Sequence, residues 1–398
     1  MGQRAPFALG IILIAVLSVS IIATVDWWWG IVHPDPEFFV GVEFAYNDNV
    51  SDLKNLVDKV KNYTNLFVLG SVEMTFNKTA LDESCDYIYE AGLYFFVLFT
   101  DTEMYRHRPG STIYDTVYEP IIWIYEARQK YGDKFWGVYR YDEPGGHQLD
   151  QGRFSLLNRT EAAAYGTYSN ASTYYVDNLS FLIKYYKYIS NELFTADYGL
   201  YWFDYKAGYD AVFANFGFNL SRPLQIALCR GAAAAQNRDW GAIVTWTYND
   251  TRYLESGDEL YSDLKLAYDS GAKYTIVFSY PTIGPYGTLL NEHFDALQNF
   301  WDYMHSNPNN QGVNRAEAAY ILPKDYGFGF RRADDTIWGL WDADELSEKV
   351  WSDVNKLIVQ YGFQLDVVYD DPEFIDAVKS RYDKLFFWNQ TISLETGF

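Results

Sequence analysis

The sequence predicts an α/β protein in which a (β/α)8 TIM barrel is preceded by an N-terminal transmembrane helix and followed by a small flavodoxin-like α/β domain. Short apolar runs alternate with longer segments of helical period, and eight of these runs fall within about 270 residues. Nearly continuous apolar runs are typical of strands buried on both faces of a parallel sheet. We expect an anchor with its aromatic flank over 1–35, the barrel over 36–305, a linker over 306–315 and the small domain over 316–398.

The first element is an uncharged, mostly apolar segment, Phe7–Val25, which is preceded by Arg4 and followed by Asp26. At about 19 residues it exceeds the apolar region of about 7–15 residues in a cleavable signal peptide, and it can cross about 30 Å of hydrocarbon as a helix. Three tryptophans, Trp27–Trp29, follow where an interfacial aromatic belt belongs. We expect a signal anchor of a single-pass cell-surface protein; the alternative is a cleaved signal peptide and a secreted body.

Nine Asn-x-Ser/Thr sequons support an extracytoplasmic body, because this triplet is the acceptor for N-glycosylation. They lie at Asn49, Asn62, Asn77, Asn158, Asn170, Asn178, Asn219, Asn249 and Asn389. The net charge of −22 argues against a nucleic-acid partner, which needs Lys and Arg to neutralise phosphates. Cys85 and Cys229 are open to two interpretations, a disulfide or two buried free thiols.

The barrel strands are predicted from runs rich in Val, Phe, Tyr and Ile. They are Phe38–Ala45, Asn65–Leu69, Leu93–Phe99, Lys134–Tyr141, Tyr198–Asp204, Ala211–Asn215, Ala242–Tyr248 and Tyr274–Ser279. The helices between them are Asp52–Lys61, Ala80–Ala91, Thr112–Tyr131, Tyr174–Leu193, Leu220–Ala235, Asp258–Gly271 and Asn291–His305. Glycines follow several of these helices, as expected at helix C-termini. The fifth and sixth strands are joined by a short segment only, so one crossover helix is expected to be missing or a single turn.

The small domain follows the turn-rich linker with a second strand–helix alternation. Its predicted elements are Ala318–Leu322, Ser347–Tyr361, Gln364–Tyr369, Phe374–Ser380 and Lys384–Trp388. So few elements bury little core, and we expect this domain to pack against the barrel.

The candidate site begins where the fourth strand ends, at Asp142 and Glu143. Pro144 stops the strand because it has no N–H to donate, and the following glycines open a loop. Carboxylates at the carboxyl end of a barrel strand lie on the face where such folds assemble their chemistry. The residues up to Ser172 are polar and predict an elaborated fourth loop at that face.

Strand parity extends this site. Arg140 and Asp142 share one parity and are expected to face the barrel interior, because charged side chains in the helix layer are costly. The same argument places Glu43 of the first strand and Asp204 of the fifth strand at the mouth. Asp101 and Glu103 follow the third strand and widen this polar ring, and Glu73 follows the second strand. Aromatic residues complete the predicted substrate-binding wall: Tyr141, Trp202, Trp246, Tyr248 and Tyr280.

A pocket of this kind suits glycoside hydrolysis, which needs a carboxylic acid to protonate the leaving oxygen and a second carboxylate. We assign Glu143 as the acid and Asp142 as a residue that orients it or binds a sugar hydroxyl. Asp204 is the first choice for the second carboxylate, with Glu43 and Glu255 behind it. Two structural alternatives to this catalytic interpretation stay open. Glu43 and Arg140 form only a structural ion pair, and the Asp-Glu-Pro triplet only ends the strand.

No metal or cofactor is expected. The five histidines show no ligand spacing, and neither a phosphate-binding loop nor a nucleophile elbow occurs. The aromatic fraction of 19% has two interpretations, core packing or platforms that stack on sugar rings.

The chain resembles the broad superfamily of glycoside-hydrolase (β/α)8 barrels. The resemblance rests on Gly137-Val-Tyr-Arg-Tyr-Asp-Glu-Pro144 and on Thr245-Trp246-Thr247-Tyr248 at the end of the seventh strand. The trailing unit is similar to the glutaminase-like domain of some β-galactosidases. In the large retaining clan the acid/base glutamate follows strand four, which matches Glu143, whereas the nucleophile follows strand seven, where this chain has none before Glu255.

The resemblance implies a glycoside hydrolase, and the apolar segment and the sequons predict that it is membrane-anchored and extracytoplasmic. The missing strand-seven glutamate leaves an alternative open: a catalytically inactive barrel that serves as a carbohydrate-binding or cell-envelope structural ectodomain.

Overall fold

The structure, a computed structural model, describes residues 38–100, 119–247 and 253–392. The predicted barrel is confirmed, because eight parallel strands pair in the order β1 to β8 and β8 closes on β1. The barrel strands are β1 Phe39–Phe44, β2 Leu66–Leu69, β3 Tyr94–Phe99, β4 Phe135–Arg140, β5 Glu192–Asp197, β6 Ala211–Phe216, β7 Asp239–Val244 and β8 Tyr274–Ser279.

Helices cover the outside of the barrel and continue into the small domain. In chain order they are α1 Val50–Val60, α2 Val72–Thr75, α3 Lys78–Glu90, α4 Pro120–Tyr131, α5 Pro144–Asp150, α6 Ala162–Tyr165, α7 Tyr168–Ile189, α8 Tyr201–Ala207, α9 Arg222–Ala235, α10 Gly257–Asp269, α11 Asn291–Ser306, α12 Glu345–Tyr361 and α13 Ile375–Arg381. Their starts follow capping chemistry; Ser256, for example, forms a reciprocal capping box with Glu259 before α10.

The predicted fifth strand is wrong. Tyr198–Asp204 is aromatic enough to read as a strand, but the strand is the preceding segment, β5, and Tyr201–Ala207 is the helix α8. Leu200 has φ 54°, in the left-handed region, so the chain turns there and cannot continue as a strand. The crossover expected to be missing between strands five and six is therefore this short helix. The seventh strand also begins three residues earlier than predicted, at Asp239.

The barrel interior is filled largely by aromatic rings. Phe96 stacks on Phe194 and Phe213 at centroid separations of 4.6 and 5.8 Å, and Tyr274 stacks on Phe39 at 5.2 Å. Rings of this size fit because small residues face them. A Cβ atom on Gly137 would lie 2.8 Å from the ring of Phe194. Core packing thus accounts for part of the aromatic excess.

The predicted small sheet domain is also confirmed, as a three-stranded parallel sheet. Its strands are β9 Ala318–Leu322, β10 Leu365–Tyr369 and β11 Lys384–Phe387, in the order β10-β9-β11. Helix α9 of the barrel packs directly on β10, because a Cβ on Gly231 would lie 2.6 Å from the carbonyl oxygen of Val367. The backbones approach this closely only because residue 231 has no side chain.

Arg230 joins the two domains. Its guanidinium donates to the Asp366 carboxylate at 2.8 Å and to four carbonyl oxygens. Those carbonyls belong to Ser270, Asn314, Phe363 and Leu365. Every N–H of this buried cation is therefore engaged, so its charge is compensated on both sides of the domain boundary.

Two other expectations concern the chain outside the barrel core. The segment Phe7–Val25 lies outside the described residues, and among the helices that are described none combines the length and apolarity needed to cross a membrane. Cys85 on α3 and Cys229 on α9 are both buried free thiols, which decides between the two interpretations of the cysteines.

Arg230→Met should lower the free energy of unfolding by about 3–5 kcal/mol, because it leaves the buried Asp366 carboxylate without its cation. Arg332→Met is the matched control, since its ion pair with Asp334 is largely exposed and should contribute less than about 1 kcal/mol. Urea unfolding of both variants measures the difference. Equal effects would contradict the role assigned to Arg230.

Candidate active site

The end of β4 is bent into an unusual backbone conformation. Tyr141 and Glu143 have φ values of 60° and 48°, in the left-handed region that non-glycine residues rarely adopt. Such residues cost of order 1–3 kcal/mol each and cluster at functional sites. The bend places Asp142 over the interior residue Tyr139, whose hydroxyl donates to the Asp142 carboxylate.

The carboxylate of Asp197, at the end of β5, holds this bend in place. It accepts the backbone N–H groups of Gly145 and Gly146 at 2.5 and 2.8 Å, in the first turn of α5. It also accepts the N–H groups of Tyr198 and Gly199 in its own loop. Asp197 therefore supplies the N-terminal cap that Glu143, the N-cap residue, does not make with its own side chain.

Two glycines allow this approach. A Cβ on Gly145 would lie 2.3 Å from the carbonyl oxygen of Gly199, and one on Gly146 would lie 2.2 Å from the ring of Tyr198. The glycines that the sequence analysis interpreted as a loop opening are thus needed for contact between the fourth and fifth loops.

Glu143 lies at the mouth in surroundings that perturb its carboxyl group. Its Oε1 accepts the amide of Asn215, at the end of β6, at 2.6 Å. Burial raises the pKa of Glu143 well above its usual value, and the carboxylates of Asp142 and Asp197 raise it further. The environment therefore favours the protonated form of Glu143.

The Asp142 and Glu43 carboxyl groups lie close enough to each other to interact electrostatically. Asp142 reaches solvent but has protein on most sides, so burial raises its pKa, while the Tyr139 hydroxyl and His147 act in the opposite direction. Glu43, at the end of β1, is buried, and burial together with Asp142 raises its pKa well above the usual value. Gly70 leaves room for the Glu43 carboxylate, because a Cβ there would lie 2.0 Å from its Oε1.

Asp204 does not lie at the mouth, contrary to its predicted position after a strand. It is on α8 with no solvent exposure, and its Oδ1 accepts the Tyr175 hydroxyl at 2.8 Å. Burial raises its pKa well above the usual value, and so does the adjacent Asp197 carboxylate. Trp202, on the same helix, is also buried and packs on Tyr369 of the small domain at 5.2 Å.

Arg140 faces the helix layer and not the barrel interior, which corrects the parity argument. Its guanidinium lies 4.8 Å from the ring centroid of Tyr186 on α7 and donates to the carbonyl oxygen of Phe99 at 3.0 Å. These contacts stabilise a buried cation on the outer side of the barrel. The interior parity belongs to Tyr139, and the bend at Tyr141 brings Asp142 to the interior as well. The Tyr141 ring is buried, and its hydroxyl donates to the Phe154 carbonyl at 2.6 Å.

The aromatic wall is formed by Trp246 and Tyr280, after β7 and β8. The Trp246 indole donates to the Tyr280 carbonyl, and the two rings lie 5.7 Å apart with a tilt of 32°. Tyr280 is 36% exposed, so this pair offers an accessible aromatic surface. Tyr248, Asp101 and Glu103 lie outside the described residues.

Glu255 is held beside the mouth and not within it. Its carboxylate accepts Arg222 at 3.2 Å, and burial, followed by the neighbouring Asp263, raises its pKa to about 8. Glu73 lies on the exposed side of α2. Among the described residues no cluster of three His, Cys, Asp or Glu side chains is arranged to hold a metal ion.

The small domain supports the fourth loop from behind. The side-chain amide of Gln148 on α5 donates to the Trp338 carbonyl at 2.8 Å and accepts the Leu157 N–H at 2.8 Å. Trp338 is fully buried, with its ring 4.4 Å from that of Phe203. A segment contributed by the last quarter of the chain therefore fixes the helix that follows Glu143.

Three residues of the site were not predicted from the sequence: Asp197, Asn215 and Tyr139. Asp197 was missed because the fifth strand was placed too late in the chain. Gly199 was the available signal, because a glycine inside a predicted strand indicates an irregularity or a close backbone approach. Asn215 was assigned to a strand end, and its interior parity with Phe213 could have marked it. Tyr139 was quoted in the fourth-strand motif without a role.

Neither a protein-family model nor a curated protein matches this chain. Solved structures do. A GH5 glycoside hydrolase variant from Streptomyces cattleya, in complex with Manb1-4GlcNAc, shares 10% identity at a TM-score of 0.55, over 88% of this chain and 99% of that one. The α-L-fucosidase isoenzyme 2 from Paenibacillus thiaminolyticus shares 9% identity at a TM-score of 0.52, over 88% of this chain.

The match covers 64% of the fucosidase, so the chain spans less than two thirds of that protein. At these identities the likeness shows the fold alone. The chain shares its closed eight-stranded barrel with these two proteins, which is the fold that the resemblance in sequence implied, and no single family is assigned.

The Asp197–Asp204 pair predicts an unusual pH dependence of stability. Burial raises the pKa of Asp197 to about 7, although its four N–H donors oppose the rise, and burial together with Asp197 raises the pKa of Asp204 well above its usual value. Because these folded-state values exceed the unfolded value of about 4, the pair's contribution is complete below about pH 4 and is lost as the pH rises through 7.

Asp204→Asn should flatten this decline, because the amide can accept from Tyr175 and donate to Asp197 without a titrating proton. Asp204→Ala should instead lose about 1–3 kcal/mol at every pH, since it leaves the Tyr175 hydroxyl without its acceptor. Unfolding free energies between pH 5 and 9 test both, and parallel curves for wild type and the asparagine variant would contradict the contribution assigned to the titration of Asp204.

Proposed function

We propose that this protein is a glycoside hydrolase that acts on extracytoplasmic glycans, with Glu143 as the general acid. One observation carries the proposal: at the carboxyl ends of the barrel strands, Glu143, whose pKa is raised well above its usual value by burial and by neighbouring carboxylates, lies next to Asp142, whose side chain is exposed to solvent. A barrel fold alone does not imply hydrolysis, so the argument depends on these two groups.

The two carboxyl groups differ in the way that the reaction requires. Glu143, favoured in its protonated form, would donate a proton to the glycosidic oxygen as the bond from that oxygen to the anomeric carbon breaks. Asp142, opposed in its pKa rise by Tyr139 and His147, would carry the negative charge that stabilises the developing oxocarbenium ion. Water then adds to the anomeric carbon, and its proton passes to a carboxylate of the site.

Asp142 replaces Asp204 as the second carboxylate in this proposal. The Asp204 side chain is fully buried and its Oδ1 accepts the Tyr175 hydroxyl, whereas Asp142 reaches solvent. Adjacent residues of a regular strand point in opposite directions, but the left-handed residues Tyr141 and Glu143 remove that objection. Trp246 and Tyr280 supply an aromatic surface on which a sugar ring can stack.

One observation favours a second candidate, a barrel that binds glycans without cleaving them. The end of β7 offers Thr245, Trp246 and Thr247, with no carboxylate among these described residues. A protein of this kind would use the Trp246–Tyr280 surface and leave Glu143 as a hydrogen-bonding group.

Glu143→Gln distinguishes the two candidates. We expect it to lower turnover of an aryl glycoside or glycan substrate by about 10²–10⁴-fold, because the amide cannot donate the catalytic proton. Glu90→Gln is the control, since it removes an exposed carboxylate from the last turn of α3. Initial rates over a panel of glycosides, with glycan binding measured in parallel, report the result.

The pH profile separates a catalytic acid from a structural one. Asp142→Asn removes a charge that raises the pKa of Glu143, so the loss of residual activity on the alkaline side should move to lower pH. Activity that survives Glu143→Gln would overturn the assignment of the acid. Glycan binding without activity on any substrate would favour the second candidate.

We further propose that the body is anchored outside the cytoplasm by Phe7–Val25 and carries N-glycans. The eight sequon asparagines within the described residues are all exposed, which supports this proposal. In Asn49 and Asn77 the side-chain oxygen caps a helix, so the nitrogen that would carry the glycan is not used for the cap.

Expression of the full chain in cells with a secretory pathway tests both parts of this proposal. The protein should stay in the membrane pellet after alkaline carbonate extraction, and its mass should fall after endoglycosidase treatment. Release into the medium would indicate the cleaved alternative, and an unchanged mass would rule out occupied sequons.

A further inference from the structure

A basic cavity lies at the boundary between the barrel and the small domain. Its volume is about 240 Å³. It is formed by α9, by residues around the starts of β7 and β8, and by the small domain. Five cations and one serine line it: Arg230, Arg238, Lys273, Arg315, Arg381 and Ser270. Only two carboxylates, Asp239 and Asp366, line it as well. The cavity is on the face opposite to Glu143, at the amino ends of the strands.

Three of the five cations are compensated by carboxylates. Arg230 pairs with Asp366 at 2.8 Å, and Lys273 pairs with Asp239 at 2.6 Å. Arg238 pairs at 2.8 Å with Asp210, which also accepts Lys187.

The other two cations, Arg315 and Arg381, come from the small domain side. Neither makes an ion pair or a hydrogen bond with any residue in the described part of the chain. Both side chains are exposed to solvent, so the two guanidinium groups at this cavity are accessible to a ligand, in a protein whose net charge is −22. The arrangement is therefore a local reversal of the overall charge.

Ser270 supplies an independent observation. Its side chain is 2% exposed, and its Oγ has no hydrogen-bond partner among the described residues. A buried hydroxyl without a partner costs about 1–3 kcal/mol, so such groups usually meet a ligand or a bound water. A group that accepts hydrogen bonds inside the cavity would satisfy it.

We propose that this cavity binds a tetrahedral oxyanion, phosphate or sulfate, either free or as the terminal group of a small ester. Guanidinium groups bind such anions with paired N–H donors, which Arg315 and Arg381 have available. The volume is below the range of about 300–1,000 Å³ that is typical of larger organic ligands, so a small anion fits better. The Ser270 hydroxyl donates to one of its oxygens.

The ligand would join the two domains. Ser270 and Lys273 belong to the barrel, whereas Arg315 and Arg381 flank the small sheet. Binding that requires both sides is lost when the domains separate, so the anion stabilises the folded chain by mass action.

Isothermal titration of the full chain with inorganic phosphate, in chloride buffer of constant ionic strength, tests the proposal. We expect saturable binding at one site. Arg315→Gln and Arg381→Gln should each weaken it about tenfold or more, because each removes charge-assisted hydrogen bonds. Lys379→Gln is the matched control, since it removes an equal charge from the same helix, α13, outside the cavity lining.

Ser270→Ala should weaken phosphate binding several-fold without lowering the unfolding temperature of the ligand-free protein, because the hydroxyl has no partner to lose. A parallel titration with glucose 6-phosphate distinguishes a free anion from an ester: tighter binding of the ester identifies the terminal group of a larger ligand. Absence of saturable binding for both, or equal weakening by Lys379→Gln and Arg381→Gln, would overturn the proposal.

Discussion

The carboxylate of Asp197 is the constraint on which the candidate site depends. It accepts four backbone N–H groups from two loops, and two of these groups begin the helix that follows Glu143. The left-handed conformation of Glu143 is costly by itself, and this cap, with the Asn215 amide, compensates for it. The position of the proposed acid is thus set by neighbouring strands more than by its own.

The aromatic residues serve two purposes that the sequence could not separate. Inside the barrel, rings from β1, β3, β5, β6 and β8 pack against one another, and glycines such as Gly137 and Gly241 make the space for them. At the mouth, Trp246 and Tyr280 remain accessible. Composition gives the number of aromatic rings. Which rings face solvent depends on the alternation of side chains along each strand and on where each strand ends.

Features with a local cause could be predicted from the sequence. Asp142 and Glu143 were placed correctly after the fourth strand, but Pro144 does not stop that strand, which already ends at Arg140; Pro144 begins α5, where its missing N–H has no helical partner to lose. Features with a distant cause could not. Arg140 faces the helices because Tyr186, on α7, offers its ring there. Asp204 is buried because the chain turns at Leu200. The aromatic segment that follows this turn has a composition typical of a strand, but it forms a helix.

The contact between Gln148 and the Trp338 carbonyl joins residues 190 positions apart in the chain. During translation at about 5–20 residues per second, the ribosome needs about 10–40 s to pass from the first residue to the second. The barrel strands are already made by then, yet the helix behind Glu143 still lacks its support. The order of synthesis therefore places all eight barrel strands, the last of which ends at Ser279, before the residue whose carbonyl holds the helix after Glu143.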